Sequence, residues 1–190
     1  SKRTRQAPQR EAKERLRPIP ATSEGVSLSE IGRHSWSDTA PIWNMSREGF
    51  RQLYDQLPGP KPEFDEIWRL TGGNPRMLER LYESGWNLDD VIKVLAKEKD
   101  ITPGFVRKWA NHLREAVNDP DHLWYNAPEE FINELVRRNL IMYFLLERKQ
   151  TLWIDTPPPE RDLELGIGKY VAWQTPLHRE VIKRALKEEN

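Results

Sequence analysis

The stretch TGGNPRMLERLYESGWN, residues 71–87, decides how this chain folds. Two glycines at 72–73 are typical of a helix end, and Asn74 is a preferred N-cap residue. Pro75 would then occupy the first helical position, where no amide hydrogen is needed. Apolar side chains recur at three- and four-residue spacing from there to Gly85. The stretch therefore predicts a tight turn followed by a short amphipathic helix.

The same helical spacing continues on both sides of this stretch. Ser46 caps one run of apolar side chains, Pro62 opens a second, and Asn87 with Asp90 resembles a capping box ahead of a fourth. Short amphipathic helices joined by loops of a few residues pack as a bundle. We therefore expect a compact four-helix unit over residues 45–100.

The pattern changes in the second half of the chain. Helices are predicted after Thr102, over residues 127–139 and after Thr175. β-Branched and aromatic side chains predict short strands at 140–146, 151–155 and 169–174. Helices, a small hairpin and a final helix are the outline of a winged helix. We therefore expect a mainly α fold, in which a small helical bundle is followed by a winged-helix domain with a short β-hairpin over residues 101–190.

Composition excludes several classes of protein. The 190 residues contain 30 basic and 30 acidic side chains, so no overall field recruits nucleic acid or an acidic membrane. Cysteine is absent, which excludes disulfides, thiolate metal sites and cysteine nucleophiles. No apolar run approaches the length of about 18 residues that a membrane helix needs. With 32% charged residues, the composition favours a cytoplasmic protein and fits a thermophilic source.

The first 44 residues have a different character from the rest. Residues 1–17 hold seven basic and two acidic side chains, a net charge of +5. This segment either contacts phosphates or is a solvated helix without its neighbours, and its single apolar anchor, Leu16, favours the helix. Residues 19–25 read as a short strand with a polar tip, and the strand has no obvious partner in this sequence. We interpret residues 1–44 as the edge of a larger unit.

The sequence contains few signs of catalysis. It has no G-x-x-x-x-G-K-[ST], no G-x-S-x-G and no H-E-x-x-H motif. The four histidines lie far apart in sequence without the spacing of metal ligands, and His112 is predicted beside the apolar face of its helix. Acidic pairs such as Asp89-Asp90 fall in first turns of helices, where the helix dipole accounts for them.

The turn at 71–76 has two interpretations. In the structural one, glycines end a helix, Asn74 caps the next, and Pro75 starts it. In the functional one, the helix N-terminus offers amide groups and a positive dipole end to an anion. The Arg76 guanidinium could then hold a phosphate oxygen, and Pro75 would offer a rigid surface to a purine ring.

The motif TGGNPR between two helices of a small bundle resembles the sensor-2 turn in the lid of archaeal ATPases of the AAA+/STAND type. Upstream, residues 21–25 resemble the sensor-1 strand of that family, and residues 31–34 the segment that follows it. Downstream, residues 156–186 resemble the C-terminal winged helix of the same group. The resemblance thus extends over roughly residues 16–187, and its Walker A and Walker B strands are absent from this sequence.

The resemblance implies three parts: a remnant of a P-loop core (1–44), a helical lid (45–100) and a winged-helix domain (101–190). It implies that ATP or ADP with Mg²⁺ binds only in the complete protein, with an upstream P-loop core as partner. It implies no hydrolysis by these residues alone and names no catalytic residue or metal ligand here. The nucleotide-binding positions that it implies are Thr22 and Ser23 (sensor 1), Arg33 (an arginine-finger-like group), Asn74 and Pro75 (the lid turn) and Arg76 (sensor 2).

An alternative function is a stand-alone winged-helix adaptor that binds DNA or a partner protein. The predicted reading helix, residues 127–139, has a net charge of −1, whereas DNA binding needs several unopposed positive charges. A protein partner is therefore favoured over DNA. The aromatic side chains of Trp153, Tyr170 and Trp173 favour core packing over a base-stacking platform.

Overall fold

Helices account for most of the fold, and the computed structural model describes residues 40–189. In this part of the chain, α-helices and two β-strands follow one another in the order α1 (Arg47–Asp55), α2 (Phe64–Thr71), α3 (Pro75–Glu83), α4 (Leu88–Glu98), α5 (Pro103–Asn118), α6 (His122–Tyr125), α7 (Glu129–Arg137), β1 (Ile141–Tyr143), β2 (Val171–Trp173) and α8 (Pro176–Glu188). The predicted mainly α fold with a small β-hairpin is confirmed.

Capping side chains set the helix starts where the sequence predicted them. The Ser46 hydroxyl accepts from the Gly49 amide at 3.2 Å, and the Asn87 side chain accepts from the Asp90 amide at 3.3 Å. The Thr102 hydroxyl accepts from the Phe105 amide at 3.2 Å. Each of these bonds satisfies an amide that has no partner within its helix, so the caps define where the chain turns into a helix.

Helices α1 to α4 enclose the first hydrophobic core. Leu78, Leu81 and Leu95 are almost completely buried in it, and Phe50 and Phe64 form part of a ring cluster with their centroids 6.2 Å apart. Two residues of α8, Leu177 and Val181, belong to the same core. The bundle therefore includes a helix from the far end of the sequence.

The second core lies between α5, α7, the two strands and the other half of α8. Leu113, Phe131 and Trp173 are buried in it together with Ile182 and Leu186 of α8. Because α8 contributes to both cores, the two halves of the described chain share one helix. The division at residue 100 stays a prediction.

The strands β1 and β2 form a two-stranded antiparallel sheet in which Ile141 pairs with Trp173. The third predicted strand, 151–155, is wrong. Residues Gln150–Leu152 form a 3₁₀ turn, and Ile154 makes one isolated parallel bridge to Ile42. The segment packs through Trp153, which is buried and donates from its indole nitrogen to the Glu147 carbonyl at 2.9 Å. Burial of this one indole, rather than strand pairing, fixes the segment.

A buried carboxylate holds the chain ahead of β2. Asp121 is 7% exposed and accepts from the amides of Lys169 at 2.7 Å, Tyr170 at 2.8 Å and Val171 at 3.2 Å. Hydrogen bonds to a charged acceptor are stronger than neutral ones, and burial of a carboxylate requires them. Asp121 thus ties the start of α6 to the sheet.

Among the helices of residues 40–189, none combines the length and the apolar composition that crossing a membrane requires. The predicted packing of the aromatic side chains is confirmed for two of the three residues. Trp153 is 5% exposed and Trp173 1% exposed, whereas Tyr170 is half-buried and stacks on Trp124.

The buried His178 predicts a loss of stability in mild acid. Burial, and then the cations of Lys99 and Arg80, lower its pKa to about 3, and its Nδ1 lies 2.8 Å from the Thr175 hydroxyl oxygen. In the unfolded chain a histidine has a pKa of about 6.5, so the unfolded state binds the proton first as the pH falls. The contribution of neutral His178 is therefore complete above pH ~6.5 and decreases down to its folded pKa.

We expect the free energy of unfolding to fall by about 2 kcal/mol between pH 6.5 and 5 from this residue alone. Urea unfolding at both pH values measures it. His178→Gln removes the titrating group, so the variant should have the flatter pH profile. An equally steep profile in both proteins would contradict the assignment.

Candidate functional site

The turn TGGNPR adopts a left-handed backbone at both glycines. Gly72 has a φ of +60° and Gly73 a φ of +81°, values at which a side chain is strained. The Gly72 amide donates to the Trp68 carbonyl at 2.8 Å, which closes the last turn of α2. The buried Thr71 hydroxyl donates to the Ile67 carbonyl at 2.8 Å. The motif is thus a helix stop with its polar groups satisfied.

The turn is also packed on both sides. A Cβ atom at Gly73 would lie 2.5 Å from the Met45 carbonyl oxygen, and the Gly73 carbonyl accepts from the Met45 amide at 3.1 Å. A Cβ atom at Gly72 would lie 2.8 Å from Cδ of Pro176, the first residue of α8. The turn is therefore held between the segment that enters α1 and the start of the last helix.

Asn74 closes much of the N-terminal end of α3. Its side-chain oxygen accepts from the Met77 amide at 3.1 Å, and its carbonyl accepts from the Leu78 amide at 3.1 Å. Its side-chain nitrogen donates to Oδ1 of Asn44 at 2.8 Å. Pro75 has no amide hydrogen, so the Arg76 amide is the first-turn donor that an outside acceptor could take.

Arg76 lies on the surface beside this helix end. Its side chain is 67% exposed and donates to Oε2 of Glu79 at 2.7 Å, one turn along the same helix. Exposed pairs of this kind contribute about 0.3–0.5 kcal/mol, so a ligand anion can replace Glu79 at small cost. The Pro75 ring is exposed next to it.

The groove next to Arg76 does not itself suit an anion. It has a volume of about 370 Å³ and lies between α3 and α4. Two of its charged side chains are basic, Arg76 and Arg80, and three are acidic: Glu83, Asp90 and Glu98. Arg80 is bound to Glu98 at 2.8 Å. An anion would therefore meet Arg76 at the turn, at the end of α3, rather than inside this groove.

The other implied nucleotide-binding positions, Thr22, Ser23 and Arg33, lie outside the described residues. The structure therefore brings together Asn74, Pro75 and Arg76, which follow one another in sequence. Within residues 40–189 there is no group of three or more histidine, aspartate or glutamate side chains placed to hold a metal ion.

The sequence interpretation missed a histidine pair. His112 on α5 and His122 at the start of α6 lie with Nδ1 and Nε2 3.2 Å apart, although ten positions separate them in the sequence. The chain reverses between them at Asp119 and Pro120, where the His122 amide donates to the Asp119 carbonyl at 3.1 Å. An Asp-Pro pair directly after a long helix was the available signal for this reversal.

The close packing at Gly73 generates a stability prediction. Gly59 has nearly the same φ, +82°, but nothing lies within 4 Å of the position of its Cβ. Gly59→Ala should therefore cost only the backbone strain, about 1–2 kcal/mol. Gly73→Ala adds a clash with the Met45 carbonyl and with Trp68, for which overpacking costs of about 1–3 kcal/mol are usual.

We expect chemical denaturation to show a free energy of unfolding at least about 1 kcal/mol lower for Gly73→Ala than for Gly59→Ala. Equal values would contradict the importance of the close approach, because the two variants share the same backbone strain.

One comparison with known proteins extends over this turn. Residues 6–81 match the family model of an ATPase domain that occurs predominantly in Archaea. The matched range includes Thr22, Ser23, Arg33 and the complete turn 71–76, ends within α3, and is less than half of the chain. No curated protein and no solved structure matches the chain. The N-terminal part of the chain, with the turn, is thus similar to an ATPase domain.

Proposed function

We propose that this chain is the nucleotide-sensing lid and winged-helix effector part of an ATP-binding ATPase of the AAA+/STAND type, and that it acts as an ATP-driven switch. The single observation that supports it is the position of Arg76. This exposed arginine stands beside the N-terminus of α3, in a segment similar to an ATPase domain. Hydrolysis is not assigned to this chain alone.

In this proposal the turn binds the phosphate end of ATP. Arg76 would leave Glu79 and hold a phosphate oxygen, with the Arg76 amide and the positive end of the α3 dipole directed at the same charge. Asn74 and Pro75 would face the nucleotide. Because the described residues hold no three-ligand metal group, the Mg²⁺ of the nucleotide would depend on an upstream P-loop core.

The segment before the described residues has its own assigned roles. Thr22 and Ser23 would occupy the polar sensor position that orients the attacking water near the γ-phosphate. Arg33 would stabilise developing negative charge on the phosphate, as arginine fingers do. These roles follow the family resemblance and the matched range, which includes all three residues.

The contacts of the turn explain how binding would reach the second half of the chain. Gly73 is bonded to Met45, and Gly72 packs on Pro176 at the start of α8. Helix α8 belongs to both hydrophobic cores. A movement of the turn would therefore displace the winged-helix part as a rigid body.

A specific observation favours a protein partner, rather than DNA, for the C-terminal part. Tyr125 and Phe144 are 65% and 59% exposed, and both rings contact the aromatic group around Trp124 and Tyr170. Exposed aromatic rings are enriched in protein interfaces. The basic side chains near α7 are largely paired with its acids, as in the 3.1 Å contact of Arg137 with Glu134.

The first prediction of this proposal concerns the gene. The reading frame upstream of the codon for Ser1 should encode a G-x-x-x-x-G-K-[ST] motif, because no other part of the chain could hold a triphosphate. Sequencing the genomic region tests this. A stop codon and a start codon directly before Ser1 would support the stand-alone adaptor instead.

The second prediction concerns Arg76 in the protein encoded by that complete frame. Arg76→Ala should weaken ATP binding about 10–100-fold, as expected for loss of a charge-assisted hydrogen bond worth about 1.5–3 kcal/mol. Titration with a fluorescent ATP analogue and the turnover rate measure the effect. Arg137→Ala is the matched control, since Arg137 is 58% exposed and also pairs with a glutamate three residues away. Equal affinities and rates in the Arg76→Ala variant and the unmodified protein would remove Arg76 from the mechanism.

A further inference from the structure

The His112 and His122 pair lies outside the turn and has no role in the proposed function. Nδ1 of His112 and Nε2 of His122 lie 3.2 Å apart, and the two rings have their centroids 5.5 Å apart with planes inclined by 41°. Both side chains are half-buried. Packing alone does not require two imidazole nitrogens to point at one another, because either ring could be replaced by an apolar side chain next to Phe131.

The separation of the two nitrogens suits a metal ion. Zinc binds histidine nitrogen at about 2.0–2.1 Å, and two ligands of a tetrahedral zinc lie about 3.3–3.4 Å apart. At the observed 3.2 Å the two nitrogens would subtend an angle of about 100° at the ion. The ion would sit slightly to one side of the line that joins them, so small ring rotations would direct both lone pairs at it.

A third ligand is available on the same helix. Glu115 follows His112 by three positions on α5, so the two side chains share a face of the helix. The carboxylates of Glu115 and Asp119 both act on His122 electrostatically. Asp119 is already occupied, because it binds Arg161 at 2.6 Å and the Asp121 amide at 3.0 Å. Glu115 is therefore the carboxylate that can turn towards the pair.

We propose that His112 and His122 form a binding site for a divalent transition-metal ion of the Zn²⁺ class, with Glu115 as third ligand and water as the fourth. The two imidazoles share one hydrogen in the metal-free chain. On binding, that N–H hydrogen moves to the other nitrogen of its own ring, which leaves a lone pair on each facing nitrogen.

The surroundings keep His122 in the state that binds metal. Burial and the neighbouring His112 lower the pKa of His122, so the ring is neutral at physiological pH. Zn²⁺ requires a neutral imidazole. A mixed nitrogen and oxygen ligand set with an open water position favours Zn²⁺ over Mg²⁺ or Ca²⁺, which prefer oxygen ligands alone.

Isothermal titration of the chain of residues 1–190 with ZnCl₂ at pH 7.5 tests the site. We expect one equivalent to bind and the melting temperature to rise with zinc concentration. His112→Gln and His122→Gln should each weaken binding at least about tenfold, which corresponds to about 1.4 kcal/mol, and Glu115→Gln should weaken it less. His34→Gln is the control and should bind as the unmodified chain does. The result is independent of ATP binding, because no residue of the turn takes part.

A second measurement avoids dependence on the variants. In the unmodified chain, NMR of the imidazole nitrogens should show the His112 and His122 signals shifting together on addition of ZnCl₂, while those of buried His178 remain. Absence of saturable binding below 1 mM ZnCl₂, or equal affinity in the unmodified chain and in both histidine variants, would overturn the site. Circular dichroism in EDTA verifies that the variants are folded.

Discussion

The close approach of two backbone segments at Gly72 and Gly73 is the constraint on which the rest of the structure depends. At these positions the chain combines a left-handed backbone with contacts that leave no room for a Cβ atom. The contacts come from both directions, from Met45 before α1 and from Pro176 at the start of α8. A single turn between α2 and α3 therefore sets the positions of the first and the last helix.

Helix α8 extends this constraint through the molecule. Its first half packs with the bundle of α1 to α4, and its second half packs with α5, α7 and the sheet. The sheet is held in turn by Asp121, which binds three successive amides ahead of β2. The described chain is thus organised by one helix shared between two cores and by one carboxylate that fixes the short strands to the α5–α6 reversal.

Local signals predicted the helices well because capping and periodicity act within a few residues. Ser46, Asn74, Asn87 and Thr102 all accept the amide bond that their sequence context predicted. The strand pattern at 151–155 was misleading, because burial of Trp153 between distant segments decided its structure. For the same reason, the His112 and His122 contact and the packing of Pro176 on Gly72 could not be seen from spacing. Both depend on chain reversals that long-range packing determines.

The packing of the turn also separates two questions that the sequence left together. The glycines and Asn74 are fully explained by backbone conformation, close contacts and capping, so they are not evidence for a nucleotide. Arg76 is different, because its exposed guanidinium has only a weak partner and stabilises nothing in the fold. A rigid turn that carries one movable cation is a suitable sensor, since the helix end is positioned before a ligand arrives and only one side chain has to reorganise. The functional argument for this region therefore depends on Arg76 rather than on the glycine-rich motif around it.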